Sequence, residues 1–299
     1  MKHTAIQWKQ ALEQGVELLE KAHIPSPRLT AEVLLMHALH TDRTILYSHP
    51  ERDLSEVSWI HYGRYLNERL QGKPTQYITG HQEFWGLDFL VDSSVLIPRP
   101  ETEVVVEAAL ELAARDYPDG EGCTIADVGT GSGCIAVALA KELPHARIFA
   151  LDFSSDALNT AQKNAVRLGV EQQIQFLCSD LLIPVGSEKL PPLQTVVSNP
   201  PYVSEQDQEH VQKEVRDFEP SNAIFAGPAG NNIYARLIPQ AAGCLVPGGH
   251  LVLELGYDSQ EQVAGFLSNE CWQNIAWRKD LAGITRVVIA TKIGKRKYE

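Results

Sequence analysis

The 299-residue sequence predicts an α/β fold: a mostly parallel sheet of about seven strands with helices on both faces, preceded by a small helical domain and a β-hairpin linker. Three observations predict it. From residue 123 onward, short β-branched runs alternate with helical periodicities, which is the pattern of successive βαβ units. A glycine-rich turn, "ADVGTGSGCIA", stands between the first of these runs and the first of these helices. The run "TVVSNPPY" stops at two prolines, which a strand interior does not tolerate.

Taken in order, residues 5–22 carry Trp8, Leu12, Val16 and Leu19 at helical spacing, with Thr4 as the expected N-cap. After a Pro-Ser-Pro break, "LTAEVLLMHALH" (29–40) repeats the helical pattern, and a third helix is expected from Ser55 to about Leu70. The breaker "QGKPTQ" then closes a helical domain assigned to residues 1–78, which carries no catalytic motif of its own. "QEFWGLDFLVDSSVLI" (82–97) alternates apolar and polar residues on both sides of Asp92-Ser93-Ser94, so a hairpin turning there is expected within a linker at 79–98. In "PRPETEVVVEAALELAA" the prolines fix the entry to a helix, and Glu101 and Glu103 favour the positive end of its dipole. The remaining domain, 99–299, contains the strands "CTIADV", "ARIFALD", "IQFLCSD", "TVVSNP", "HLVLEL", "NIAWRK" and "TRVVIAT", with helices between most of them. The basic tail "KIGKRKYE" reads as a solvated end.

The bulk properties narrow the function. A formal net charge of −12 gives no general attraction to a phosphate backbone or an anionic membrane, so no direct nucleic-acid partner is expected. Five widely spaced cysteines without a C-x-x-C pair fit reduced thiols better than a disulfide framework or a zinc site. The N-terminus has no apolar signal region, no stretch reaches the roughly 18 apolar residues of a membrane span, and the ten histidines show no metal-binding spacing. A cytoplasmic, metal-free monomer is the expectation.

The glycine turn places Asp127, Gly129, Thr130, Gly131, Ser132 and Gly133 between strand and helix, where glycines let the backbone approach a ligand closely. The spacing is G-x-G-x-G, whereas a dinucleotide site prefers G-x-G-x-x-G. Asp152 ends the second strand, where a carboxylate accepts hydrogen bonds from two ribose hydroxyls. Asp180 ends the third, poised for an adenine amino group, with Leu181 beside the ring. Three strand ends thus meet at one crevice. The set resembles the class I S-adenosylmethionine-dependent methyltransferases, a Rossmann-like fold. That resemblance implies S-adenosylmethionine as cofactor, with Asp127 near its methionine end.

Asn199 lies at the carboxyl end of the fourth strand. Pro200 and Pro201 remove two N–H donors and fix φ near −65°, leaving a rigid turn whose free backbone groups are carbonyls. A planar amide or conjugated amino group offers two N–H donors on a poorly nucleophilic nitrogen. The Asn199 oxygen and a proline carbonyl can bind those hydrogens and aim the nitrogen at an electrophilic methyl, while Tyr202 offers a flat face. On this chemistry both adenine amino groups and glutamine amides remain candidate substrates.

The segment "GKPTQYITGHQEFWGLDFLVDSSVLIPRPETE" (72–103) is similar to the one preceding the catalytic domain in bacterial peptide chain release factor glutamine methyltransferases. The resemblance continues through "DVGTGSG", "SNPPYV", "FEPSNAIFAG", "LVPGGHLVLELG" and "DLAGITRVV". It implies methyl transfer to the glutamine of the Gly-Gly-Gln loop of class 1 release factors. Gly129 to Gly133, Asp152, position 181 and Asn199 are then expected to contact the cofactor, and Asn199, Pro200, Pro201 and Tyr202 the substrate. The helical domain would help grip the release factor. Where the family often has an aromatic residue this chain has Leu181. Ribosomal-protein glutamine methyltransferases share the chemistry and a related N-terminal region, but "LIPRPETE" looks more like the release factor enzymes; a nucleic-acid adenine-N6 methyltransferase is the further alternative.

Overall fold

A computed structural model describes residues 6–118, 121–184, 189–268 and 270–294. The chain forms two compact units. One comprises the residues up to His81 together with Lys213–Phe218. It contains α1 (Trp8–Lys21), α2 (Pro27–Leu39), α3 (Arg43–Ser48), α4 (Glu56–Leu70), α5 (Thr75–Thr79) and, from far along the chain, α9 (Lys213–Phe218). The apolar stripe anticipated in α1 is real: Trp8, Leu12 and Leu19 are buried with Leu34 and Leu35 of α2 and Tyr62 of α4. At Gly15 a Cβ would lie 1.9 Å from the Tyr62 hydroxyl, so only glycine lets these helices approach so closely. Helix α1 begins at Trp8 with Gln7 as its cap; the expected cap Thr4 falls outside the described residues. The buried Arg69 of α4 holds α9 through Glu214 at 2.7 Å.

The second unit runs from Gln82 to Gln212 and resumes at Glu219. Its hairpin, β1 (His81–Phe84) and β2 (Leu87–Leu90), turns at Trp85 and Gly86, whose φ values are 55° and 68°. This corrects the expected turn at Asp92-Ser93-Ser94. There Asp92 Oδ1 accepts from the Ser94 amide at 2.8 Å, so the Asx-turn signal is genuine, but β2 before it pairs with β1 and not with the residues that follow. Asn164 clamps the hairpin, accepting from the Leu90 amide at 2.7 Å and donating to the Leu90 carbonyl at 2.9 Å.

The main sheet contains β3 (Thr124–Val128), β4 (Arg147–Asp152), β5 (Ile174–Asp180), β6 (Ile183–Pro184), β7 (Leu193–Ser198), β8 (Leu245–Glu254), β9 (Trp272–Lys279) and β10 (Thr285–Lys292). Its order is β6-β5-β4-β3-β7-β8-β10-β9, eight strands among the described residues where about seven were expected. The extra one is the two-residue β6, too short to carry a period-2 pattern. Strands β5, β4, β3, β7 and β8 pair in parallel, while β6, β10 and β9 run antiparallel. Helices α6 (Glu103–Asp116), α7 (Cys134–Glu142) and α8 (Ser155–Arg167) share one core with the sheet; α11 (Asn232–Cys244) and α12 (Gln260–Phe266) share the other, and α10 (Ser221–Ile224) lies in the segment after β7. Alternation distributes the strand residues: Ile125 and Val197 enter the first core, Ala126 and Val196 the second.

Candidate active site

The chain order reverses direction across the sheet between β3 and β7, the switch point at which doubly wound sheets open a crevice at their carboxyl ends. Short bonds hold the strand ends together there. The Gly129 and Thr130 amides both donate to the Leu151 carbonyl, at 2.8 and 2.9 Å, and Ser198 Oγ donates to the Val128 carbonyl at 2.6 Å. A cavity of about 430 Å³ opens above them, well within the size of a small-molecule site. Its lining brings together Gly129, Thr130, Gly131, Ser132 and Asp152 with Asp180, Leu181, Asn199, Pro200 and Pro201. Gly133, Asp127 and Tyr202 are not among the lining residues.

The glycine turn takes positive φ at Gly129, Gly131 and Gly133. At Gly133 a Cβ would also lie 3.0 Å from Ala161 Cβ, so glycine at this position lets the turn pack on α8. The Gly131 amide donates to Asp152 Oδ2 at 2.9 Å, and Ser154 N to Asp152 Oδ1 at 2.9 Å. A carboxylate offers about four acceptor sites. Asp152 therefore retains capacity for hydroxyl donors in the cavity, and burial pushes its carboxyl up from the usual range.

Asp127 lies wholly beneath the turn. Its Oδ2 accepts from Thr130 Oγ1 at 2.7 Å and from the Ala136 amide at 3.2 Å, so it braces the loop and caps α7. Its Oδ1 is buried without a hydrogen-bond partner, and burial pushes the carboxyl up to about 7. Asp127, expected near the methionine end of the cofactor, is placed behind the turn and off the cavity lining, where it supports the turn.

At the other end of the cavity Asp180 pairs with Arg236 of α11, and both line the space. Leu181 follows with φ 57°, held by the bond from Ser179 Oγ to its carbonyl at 2.7 Å. The turn amides, the Asp152 acceptor and the apolar Leu181 side chain fit an adenosyl group with its ribose and charged tail.

Strand β7 ends at Ser198, and Asn199 projects its Nδ2 to Thr102 Oγ1 at 3.0 Å. Thr102 is buried in the turn Pro100–Thr102 that enters α6. Behind it lies Glu254, the last residue of β8, 2% exposed, with one carboxylate oxygen unpartnered. The Thr102 and Tyr202 hydroxyls face this carboxyl; burial pushes it up to about 7 against their effect and that of Arg286. Tyr202 is placed differently from the expectation. Its ring lies on Gly256, where a Cβ would be 2.9 Å from Tyr202 Cδ2, and burial raises its phenol. The ring therefore faces the protein beside Glu254, because glycine at 256 leaves the space that it fills.

Thr102, Glu254 and the pair Arg99–Glu219 were missed as site residues. Glu219 is almost fully buried, pairs with Arg99, which lines the cavity, and accepts from the Ile97 amide at 3.1 Å. A carboxylate inside the apolar run "HLVLELG" and another after the aromatic in "DFEP" are the signals that could have found Glu254 and Glu219, since acids are almost never fully buried without a partner.

Residues 10–80 match the family described as the PrmC N-terminal domain, and residues 106–217 the methyltransferase small domain. A release factor glutamine methyltransferase of Koribacter versatilis is 47% identical over 284 residues, spanning 95% of this chain and 98% of the relative. One from Nitratidesulfovibrio vulgaris is 39% identical over 286 residues, spanning 94% of each. Among solved structures, the hMettl16 catalytic domain in complex with the MAT2A 3'UTR hairpin 6 superposes with a TM-score of 0.54 at 16% identity, over 77% of this chain and 83% of that one. This last likeness is one of fold.

Proposed function

The chain belongs to the release factor glutamine methyltransferase family, and from that premise we propose that it transfers a methyl group from S-adenosylmethionine to the side-chain amide nitrogen of the Gly-Gly-Gln glutamine of class 1 peptide chain release factors. The observation that carries this reading is the placement of Asn199 and the two prolines on the wall of the cavity that also holds the glycine turn and Asp152. S-adenosylmethionine supplies an electrophilic methyl on a sulfonium. In the transfer an N–C bond forms at the glutamine amide, the S–CH₃ bond breaks, S-adenosylhomocysteine leaves, and the amide loses one proton to solvent.

Each residue has a part in this reading. Asp152 accepts the ribose hydroxyls, the Gly129–Gly133 turn supplies backbone amides, and Leu181 packs on the adenine. Asp180, already paired with Arg236, sits within reach of the adenine edge. Asn199 Oδ1 and a proline carbonyl accept the two amide hydrogens of the glutamine, restraining the nitrogen and stabilising the charge that develops on it. No strong base is needed, because the proton becomes acidic as the methyl arrives. The net charge of −12 favours a protein partner over a nucleic acid. The helical unit contributes grip on the release factor, and the enzyme works as a cytoplasmic monomer.

Incubation of the purified chain with methyl-labelled S-adenosylmethionine and a class 1 release factor tests the reading. Label in the release factor is expected. Label only in added DNA or RNA, or none in any acceptor while the folded chain binds the cofactor, overturns it.

A further inference from the structure

We infer that Thr102 and Glu254 are positioning residues that hold the Asn199 side chain in one of its two flips, with Nδ2 turned inward and Oδ1 turned to the cavity. The inference rests on the amide-methylation reading above and adds residues to it.

An asparagine amide is nearly symmetrical in shape but opposite in chemistry at its two ends. With Oδ1 toward the cavity, Asn199 accepts a hydrogen from an incoming amide. With the ends exchanged, two donors would face each other and the amide nitrogen would lose the acceptor that aims it, while the rest of the release factor surface would still bind. The flip is therefore a condition for aiming the reactive amide, and Asn199, only partly buried on the cavity wall, needs something to set it.

Thr102 sets it. Its oxygen lies 3.0 Å from Asn199 Nδ2, and Thr102 is 2% exposed, so little of it is open to water. A hydroxyl has one proton, and it can meet Asn199 either as acceptor or as donor. Which role it takes depends on where that proton goes. The Glu254 carboxyl faces the Thr102 hydroxyl and keeps an acceptor oxygen for it whether or not it is ionised. Once the Thr102 proton is committed to Glu254, the Thr102 oxygen can only accept from Asn199. Burial, most strongly, and Glu101 oppose the ionised form of this carboxyl, while the Thr102 and Tyr202 hydroxyls and Arg286 favour it. This also gives the Tyr202 side chain a use on the protein side of the turn. The order is thus Glu254, Thr102, Asn199, cavity, with the hydrogen-bond polarity fixed at the buried end.

Three full-length variants and one measurement on the wild type test this. Thr102→Val removes the hydroxyl at nearly constant volume, and kcat for release factor methylation is expected to fall about 10²-fold, the scale of a misplaced reacting group. KM for the release factor and Kd for S-adenosylmethionine, the latter read by calorimetry, should stay within about threefold: Thr102 borders the cavity, but its hydroxyl is engaged by Asn199 and Glu254. Thr102→Ser restores the hydroxyl and should recover most of the lost rate; Glu254→Leu should match Thr102→Val. In the wild type, one Asn199 side-chain amide proton should exchange with solvent at least about tenfold more slowly than that of an exposed asparagine, which needs no variant to fold. Thr102→Val with wild-type kcat, Thr102→Ser as impaired as Thr102→Val, or an unprotected Asn199 amide overturns the inference. Absence of methyl transfer by the wild type overturns the proposed function instead, while the exchange measurement still tests the flip.

Discussion

The backbone amide of Gly131 donates to Asp152 Oδ2 at 2.9 Å, so the carboxylate that ends β4 is also the strut of the glycine turn. Binding capacity and loop shape are therefore coupled in one side chain. Asp152→Ala should weaken S-adenosylmethionine by roughly 2–4 kcal/mol, the loss of two hydrogen bonds to a charged acceptor. Calorimetric titration measures it, and affinity within about threefold of the wild type would remove Asp152 from the ribose site.

Gly133 is constrained twice, by φ 80° and by Ala161 at 3.0 Å from the Cβ it lacks. Gly133→Ala is expected to destabilise the fold by about 2 kcal/mol through left-handed backbone and contact with α8. Urea unfolding checks this. A change smaller than about 0.5 kcal/mol, the scale of an innocuous surface substitution, contradicts the packing role.

Asp127 gives a pH dependence with a definite sign. Burial raises its folded carboxyl to about 7, above the unfolded value of 3.8, so between these values the folded state holds a proton that the unfolded state has lost. Its contribution to stability therefore declines as pH rises from about 4 to about 7, by at most about 1.4 kcal/mol per pH unit, and is flat above. Asp127→Asn keeps an acceptor for Thr130 and Ala136 and should remove this slope. The difference between the two unfolding free energies, taken across that range, isolates Asp127 from Glu254 and the other carboxylates. A constant difference contradicts the prediction.

Glu219 joins the segments on either side of the glycine turn in sequence, accepting from Ile97 N and pairing with Arg99. Glu219→Ala should cost about 2–4 kcal/mol, less than a wholly buried pair because Arg99 is one-third exposed and can turn to water. Denaturant unfolding of Glu219→Ala against Glu219→Gln separates the terms. Glutamine keeps an acceptor for Ile97 and should recover part of the loss; equal losses would contradict that division.

The strands and the ligand-facing turn were legible in the sequence because their signals are local. Three glycines at alternate positions, a carboxylate at a strand end and two prolines after an asparagine each state their conformation within a few residues. What was not legible depends on distant partners. Thr102 meets Asn199 across 97 positions, and Ile97 meets Glu219 across 122, so neither pairing has a local spacing to betray it. Tyr202 was expected at the substrate because its position in "NPPY" is local, but the side of the turn it takes is decided by Gly256. The hairpin turn was misplaced for a related reason. Asp92 does make an Asx turn, yet the ladder closes at Trp85 and Gly86, where an aromatic residue in left-handed backbone gives no turn signal.

One glutamine amide, presented against Asn199, is the proposed acceptor of the methyl group in this cavity. Mass spectrometry of the release factor peptide containing Gly-Gly-Gln, after reaction with S-adenosylmethionine and either the wild type or Asn199→Ala, tests it most directly. One added methyl on the glutamine side-chain nitrogen is expected with the wild type, and a rate about 10²–10³-fold lower with the folded variant. A methyl on another residue, or equal methylation by Asn199→Ala, would contradict it.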